Sequence, residues 1–198
     1  MTDSYIHPTA VVEPKASIGE GVKIWHFCHV RDESVIEKDV SLGKGVYVDS
    51  GVRIGMGSRI QNGVSVYRGV TIGEWCFIGP HVVFTNDLTP RAGNKAWKVI
   101  NTWLGTGMSI GAGAIIRCGV SVGAFAVVGA GAIVTKSVLP FHLAVGCPAT
   151  SHQKICACGQ ELFPLDVPKE KLLGACCKQN MNSDLYLIAK EYMSSKME

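Results

Sequence analysis

His81, Asn86 and Asp87 stand within seven positions of one another in the stretch GPHVVFTNDLTPR (79–91). A histidine with an ordinary pKa of ~6.5 can take a proton near neutrality. An asparagine amide can accept from or donate to a polar substrate without changing charge. Together they suit the handling of a nucleophile that must be oriented and, in one version, deprotonated. His81 is the candidate for a general base and Asn86 for an orienting group. Arg31, Arg68 and Arg91 are candidates for pairing with a phosphate or carboxylate, which arginine grips in bidentate fashion. His26 and His29, separated by two residues, have a spacing that is also read as a metal pair; we assign them no metal. Cys156, Cys158, Cys176 and Cys177 crowd into 22 residues, while Cys28, Cys76, Cys118 and Cys147 are scattered singly. The scattered four read as small buried hydrophobes in a reducing compartment.

A six-residue repeat is what must position these groups. Stepping by six from Ile6 reaches only apolar residues through Phe84; the phase then breaks, and the six-residue step resumes from Leu104 to Val134. Of the 23 glycines, 19 fall one or three residues after a repeat start, which fixes the turn positions. Six residues are too few for a helical repeat and fit a short strand plus a turn; three units close a triangular coil of 18 residues. Coils stacked at about 4.8 Å bury a continuous core that no single unit could bury. The expected fold is all-β, a parallel β-helix over residues 1–139. Residues 90–103 (PRAGNKAWKVINTW) interrupt it as an inserted loop, and a polar, aromatic-bearing excursion from a rigid scaffold is where function tends to sit. Residues 140–198 form a C-terminal extension: an irregular exit, a Cys-bearing element, and a helix over Ser183–Ser194 capped by Asn182 or Ser183. That helix is expected to cover the open end of the prism.

Because stacking repeats every 18 residues, side chains can be aligned by arithmetic. Asp32, Ser50, Arg68 and Asn86 share one ladder, which Cys118 continues if the insertion loops out cleanly; His26, Lys44, Asn62 and Pro80 share a neighbouring one. Polar groups of several kinds are thus expected to converge beside the loop, as a binding site requires.

Composition excludes several function classes. The net charge of +3 is too mild to suggest nucleic-acid binding. With 47% hydrophobic and 18% charged residues the chain is not disordered. No apolar run is long enough for a membrane span and the N-terminal residues do not read as an export signal, so a cytoplasmic location is expected.

The repeat resembles the hexapeptide-repeat, left-handed parallel β-helix acyltransferases, and the handedness comes from that resemblance alone. KIWHFCHV (23–30), IQNGVSVYRGVTI (60–72), GPHVVFTNDLTPR (79–91), VGAGAIVTKSV (128–138) and VGCPA (145–149) resemble one subfamily, the nucleotide-linked 3-amino-sugar N-acetyltransferases. The nearest likeness is to enzymes acting on UDP-2-acetamido-3-amino-2,3-dideoxyglucuronate in bacterial surface-polysaccharide (O-antigen) synthesis; a dTDP-3-amino-3,6-dideoxyhexose 3-N-acetyltransferase is the alternative. The resemblance implies a homotrimer with active sites between subunits and acetyl-CoA as cosubstrate. It implies catalysis by direct attack of the amine, with Asn86 orienting the amino nitrogen. For the nucleotide sugar it points to His26, Arg31, Gln61, Asn62, Tyr67, Arg68, Asp87 and Arg91. Acetyl-CoA is expected along the later coils at Gly111, Ala112, Gly129 and Ala130, with Lys136 near phosphate. Where relatives carry basic residues this chain has LGTG (104–107) and PATSHQK (148–154), so phosphate contacts must come from elsewhere. CACG (156–159) resembles half of a zinc ribbon, but the adjacent Cys176 and Cys177 are poorly spaced for the other half. Zinc at Cys156, Cys158 and Cys176 is therefore not favoured over free thiols.

Overall fold

Each six-residue unit folds as a strand of two or three residues and a turn. The second strand residue points inward and the first outward, as alternation along a strand demands. Ile24, Val30, Ile36, Leu42, Val48 and Ile54 are accordingly buried to within 1%, whereas Ile6, on the first coil, is 43% exposed; each aliphatic side chain fully buried contributes about 1.5–3 kcal/mol. The computed structural model describes residues 3–195. It is a parallel β-solenoid of hexapeptide repeats whose three faces are separate sheets. Sheet A begins with Tyr5–Ile6 and Lys23–Ile24, sheet B with Val11–Val12 and His29–Val30, sheet C with Ser17–Ile18 and Val35–Ile36. Register advances by 18 residues per coil, as in Ser41↔Arg59 and Tyr47↔Ser65.

Between Val83–Phe84 in sheet B and Thr102–Leu104 in sheet C the chain leaves the prism. Thr102 and Trp103, the last two residues of the sequence interruption, are thus already back in a strand, paired with Val70 and Thr71. The register jump across the excursion, Val83↔Ile115, leaves the ladders above it in phase.

The exit is more regular than the sequence suggests. His142–Gly146 and Ala149–Ile155 form an antiparallel hairpin on sheet A, and Ala144 and Ala149 of this hairpin reach the main core. Two helices follow, α1 (Ala175–Asn180) and α2 (Ser183–Ser194). The Asn182 side chain accepts the Asp184 N–H at 2.8 Å and so caps α2. The helix does not lie over the prism's end: its Ala189 and Tyr192 pack with Phe125, Phe141 and Leu172 on the corner between sheets C and A. Among the described residues no helix is long and apolar enough to cross a membrane.

Candidate active site

Two corners flank sheet B, and the polar side chains divide between them. At the B/C corner the turn residues Asp32, Ser50, Arg68 and Asn86 stack as the 18-residue step requires; the Asn86 amide N–H donates to the Arg68 carbonyl at 3.4 Å. Beneath Asn86 runs a network that begins with Glu13. Its carboxylate meets His29 Nε2 at 2.8 Å, Arg31 Nε at 3.5 Å and the Asp32 N–H at 2.8 Å. The Asp32 N–H and the His29 contact, aided by Arg31, hold the Glu13 carboxyl below the usual range. Arg31 reaches up to Asp49 Oδ1 at 3.2 Å, which also accepts from the Tyr47 hydroxyl at 3.1 Å. Burial would raise Asp49, but the N–H groups of Ser50 and Arg68, the Tyr47 hydroxyl and Arg31 outweigh it and leave the carboxyl lowered. Arg31 is therefore held between two carboxylates, its guanidinium partly exposed beside them. Arg68, two coils above Arg31, is exposed and makes no salt bridge among the described residues.

Asn86 itself is pinned through its backbone. Its carbonyl accepts the Ile100 N–H at 3.0 Å, where the excursion returns, and its neighbour Thr85 accepts the Cys118 N–H at 2.9 Å. The side-chain oxygen makes no hydrogen bond among the described residues, so it remains an available acceptor. Beside it a groove of about 460 Å³ runs along sheet C, lined by Arg68, Thr71, Val99, Asn101 and the half-exposed Trp103. Asp87 faces into the excursion, its Oδ1 accepting the Thr89 N–H at 2.8 Å. Arg91 is exposed and donates to the Pro90 carbonyl at 2.7 Å.

The A/B corner carries the second group. His26, Lys44, Asn62 and Pro80 stack there, tied by Lys44 N–H to Asn62 Oδ1 at 2.9 Å and His81 N–H to the Asn62 carbonyl at 3.0 Å. A groove of about 330 Å³ opens on its sheet A side, lined by Trp25, His26, Lys44, Gln61 and Asn62. The His7 ring stacks on His26 with centroids 3.5 Å apart, and burial together with the nearby His26 charge lowers His7. Above Asn62 the ladder turns small: Pro80, Ala112 and Ala130, joined by Gly113 N–H to Pro80 and Gly131 N–H to Ala112 at 2.9 Å each. Ala112, Gly113, Ala130 and Gly131 are exposed, leaving main chain accessible beside Gly111 and Gly129. His81 adopts φ +57° in a slot that Gly45, Gly63, Gly113 and Gly131 fill on other coils and Phe27 fills on an earlier one. Its ring lies on Gly63, where a Cβ would come within 2.7 Å of the imidazole.

The structure thus brings together His26, Gln61 and Asn62 on one corner, and Arg31, Tyr67, Arg68, Asn86 and Asp87 on the other. Lys136 continues the Arg68–Asn86–Cys118 ladder, away from Gly111, Ala112, Gly129 and Ala130. His81 and Asn86 do not converge within one chain: the strand Val83–Phe84 runs between them, so five residues near 3.3 Å each hold their backbones up to about 16 Å apart. The Glu13–Arg31–Asp49 stack escaped the sequence reading, although the alternating charges at an 18-residue step were there to be found. Trp103 was assigned to a loop, and its outward position became visible only with its strand.

Comparison with known proteins identifies the repeat. The sequence model described as the hexapeptide repeat of succinyl-transferase matches residues 34–68 and 105–136. A segment of 42 residues is 45% identical to the acyl-[acyl-carrier-protein]–UDP-N-acetylglucosamine O-acyltransferase of Brucella ovis, covering 21% of this chain and 15% of that protein. The chain therefore matches only a small part of the curated relative's length. Among solved structures, PerB from Caulobacter crescentus, crystallised with CoA and GDP-perosamine, is 26% identical over 75% of this chain and 56% of that one, with a TM-score of 0.48. The hexapeptide-repeat acetyltransferase VCA0836 of Vibrio cholerae, complexed with acetyl coenzyme A, is 24% identical over 62% of this chain and 70% of that one; its TM-score of 0.54 reflects the shared fold.

Proposed function

We propose that the chain is an acetyl-CoA-dependent N-acetyltransferase acting on the 3-amino group of a nucleotide sugar, UDP-2-acetamido-3-amino-2,3-dideoxyglucuronate, and that it works as a homotrimer. The observation that carries this reading is the pairing of an available Asn86 amide oxygen with the uncompensated Arg68 at the edge of one groove. Asn86 accepts a hydrogen bond from the amine and aims its lone pair; Arg68 meets the uronate carboxylate or a phosphate oxygen. The amine of such a sugar, flanked by electron-withdrawing carbons, titrates well below the ~10.4 of lysine, so much of it is neutral without a strong base. Its nitrogen attacks the thioester carbonyl, the C–S bond breaks, and the nitrogen's surplus proton leaves through solvent as CoA departs. Holding the two reactants in register supplies most of the rate.

The trimer reading is supported by where the two proposed halves sit. The small-residue corner proposed for acetyl-CoA (Gly111, Ala112, Gly129, Ala130) and the Asn86 corner lie on opposite edges of sheet B, so one copy cannot close the site. Sheet B carries Val11, Val83, Ile115 and Ile133 among its outward residues. Turned toward a three-fold axis, that face sets the A/B corner of one copy against the B/C corner of the next. The neighbour's Lys136 then joins the acetyl-CoA corner. The test is incubation of purified protein with acetyl-CoA and either the UDP-uronate amine or dTDP-3-amino-3,6-dideoxygalactose, read by mass spectrometry. Acetylation of the UDP sugar is expected. Acetylation of the dTDP sugar alone would move the substrate assignment, and neither product from a folded trimer would overturn the reading.

A further inference from the structure

The C-terminal element holds four thiols that the acetyl-transfer chemistry does not use. Cys156 and Cys158 follow the strand Ala149–Ile155, while Cys176 and Cys177 lie in the first turn of α1. The fold brings the two segments together: all four sulfurs lie within 4.8 Å of one another. Cys156 Sγ is 3.4 Å from Cys158 Sγ, and Cys176 Sγ is 3.8 Å from both Cys156 Sγ and Cys177 Sγ. Four thiolates arranged tetrahedrally at a Zn–S distance of ~2.3 Å stand about 3.8 Å apart, close to the 3.4–3.8 Å of these three contacts and within the 4.8 Å that bounds the whole set. Cys156 and Cys177 are buried and Cys158 and Cys176 half-buried, so the cluster is enclosed rather than open to a substrate. The Glu161 N–H donates to Cys156 Sγ at 3.2 Å and so orients that sulfur. Gly159, at φ +79°, turns the chain so that its own N–H reaches the Cys156 carbonyl at 2.9 Å.

We propose that Cys156, Cys158, Cys176 and Cys177 bind one zinc ion as a closed tetrathiolate site that fixes the C-terminal element. Four protein ligands leave no position for water or substrate, which makes the site structural. The need for it is local. Between the two cysteine pairs the chain forms only the strand Leu162–Phe163 and the short turn Lys169–Leu172. Of the second apolar cluster, residues 140–198 contribute only Phe141, Leu172 and Ala189 as fully buried side chains; the rest of their share, such as Phe163, Val167 and Ile188, is only partly buried. A segment with so few fully buried side chains is the kind that a metal cross-link stabilises. The adjacency of Cys176 and Cys177, a poor spacing in the linear sequence, is no obstacle once both side chains leave one helical turn toward the same point.

The test uses the full chain purified without added metal or chelator, with metal content read by plasma mass spectrometry. About one zinc per chain is expected. Cys147→Ser, outside the cluster, should leave that ratio unchanged, whereas Cys158→Ser and Cys177→Ser should each lower it several-fold. Should either of the latter fail to fold, wild-type protein stripped of zinc and given Co²⁺ should develop the visible absorption of tetrahedral cobalt thiolate. Stripping should also open residues beyond Ile155 to protease while the prism stays intact. Four freely titrating cluster thiols with no zinc and no cobalt spectrum would overturn the proposal, as would iron in place of zinc. None of these readouts depends on acetyl transfer, so the site and the activity stand or fall separately.

Discussion

A site shared between copies can be tested by pairing two inactive variants. Asn86→Ala removes the amine-orienting oxygen from the B/C corner, and Ala112→Trp puts bulk on the exposed A/B corner where acetyl-CoA is placed. Loss of positioning should lower kcat/KM on the order of 10²-fold for Asn86→Ala. The stability cost should be small, since the Asn86 side chain makes one hydrogen bond, 3.4 Å long. Ala112 is exposed, so its replacement should also leave the prism folded. Because the corners lie on opposite edges of sheet B, each interface of a three-fold ring takes Asn86 from one copy and Ala112 from the next. When the variants are co-expressed in equal amounts, about three quarters of the trimers are mixed, and each mixed trimer has one interface with both halves native. About one quarter of wild-type activity should therefore return, rising to about one third when tandem affinity tags select mixed trimers. The readout is acetylated nucleotide sugar per chain. Activity that stays at the sum of the two parents, from mixed trimers verified by native mass spectrometry, would refute the shared site, because halves carried on one chain cannot complement.

Other perturbations probe the corner network and the core. Arg68→Ala should raise KM for the nucleotide sugar about tenfold or more with little effect on stability, whereas Arg31→Ala should mainly destabilise, since it leaves Glu13 and Asp49 without their shared cation; kinetics beside chemical denaturation separates the two, and the reverse pattern would exchange their roles. Asp49→Asn should cost about 1–2 kcal/mol at neutral pH. A lowered carboxyl stabilises the fold above its ordinary value of 3.8 and loses that contribution as pH falls through the lower native value, so the gap between wild type and variant should close in acid; a gap that persists at pH ~2 would show the loss to be one of packing. Thr102→Val should raise stability by about 1 kcal/mol, because the buried Thr102 hydroxyl has no hydrogen-bond partner among the described residues. Destabilisation in thermal unfolding would contradict that.

In a solenoid the sequence is legible along one direction and misleading along the other. Residues 18 apart touch, so the ladders Asp32–Ser50–Arg68–Asn86 and His26–Lys44–Asn62–Pro80 could be written from arithmetic, as could the inward aliphatics and the terminal helix. Residues five apart are carried to different corners by the intervening strand, which is why His81 and Asn86, neighbours in the sequence, part in the fold. The hairpin from His142 to Ile155 has no six-residue period to announce it. The convergence of Cys156 and Cys158 with Cys176 and Cys177 is set by how the C-terminal element folds back, which spacing does not encode. The same geometry bears on the proposed function: if the amine and acetyl-CoA bind on the two corners that flank sheet B, they meet only where a second copy supplies the other half. The face such a contact would use carries Val11, Val83, Ile115 and Ile133 beside His29 and Tyr47, so an interface there would have to pack the aliphatics while leaving the His29–Glu13 pair its hydrogen bond.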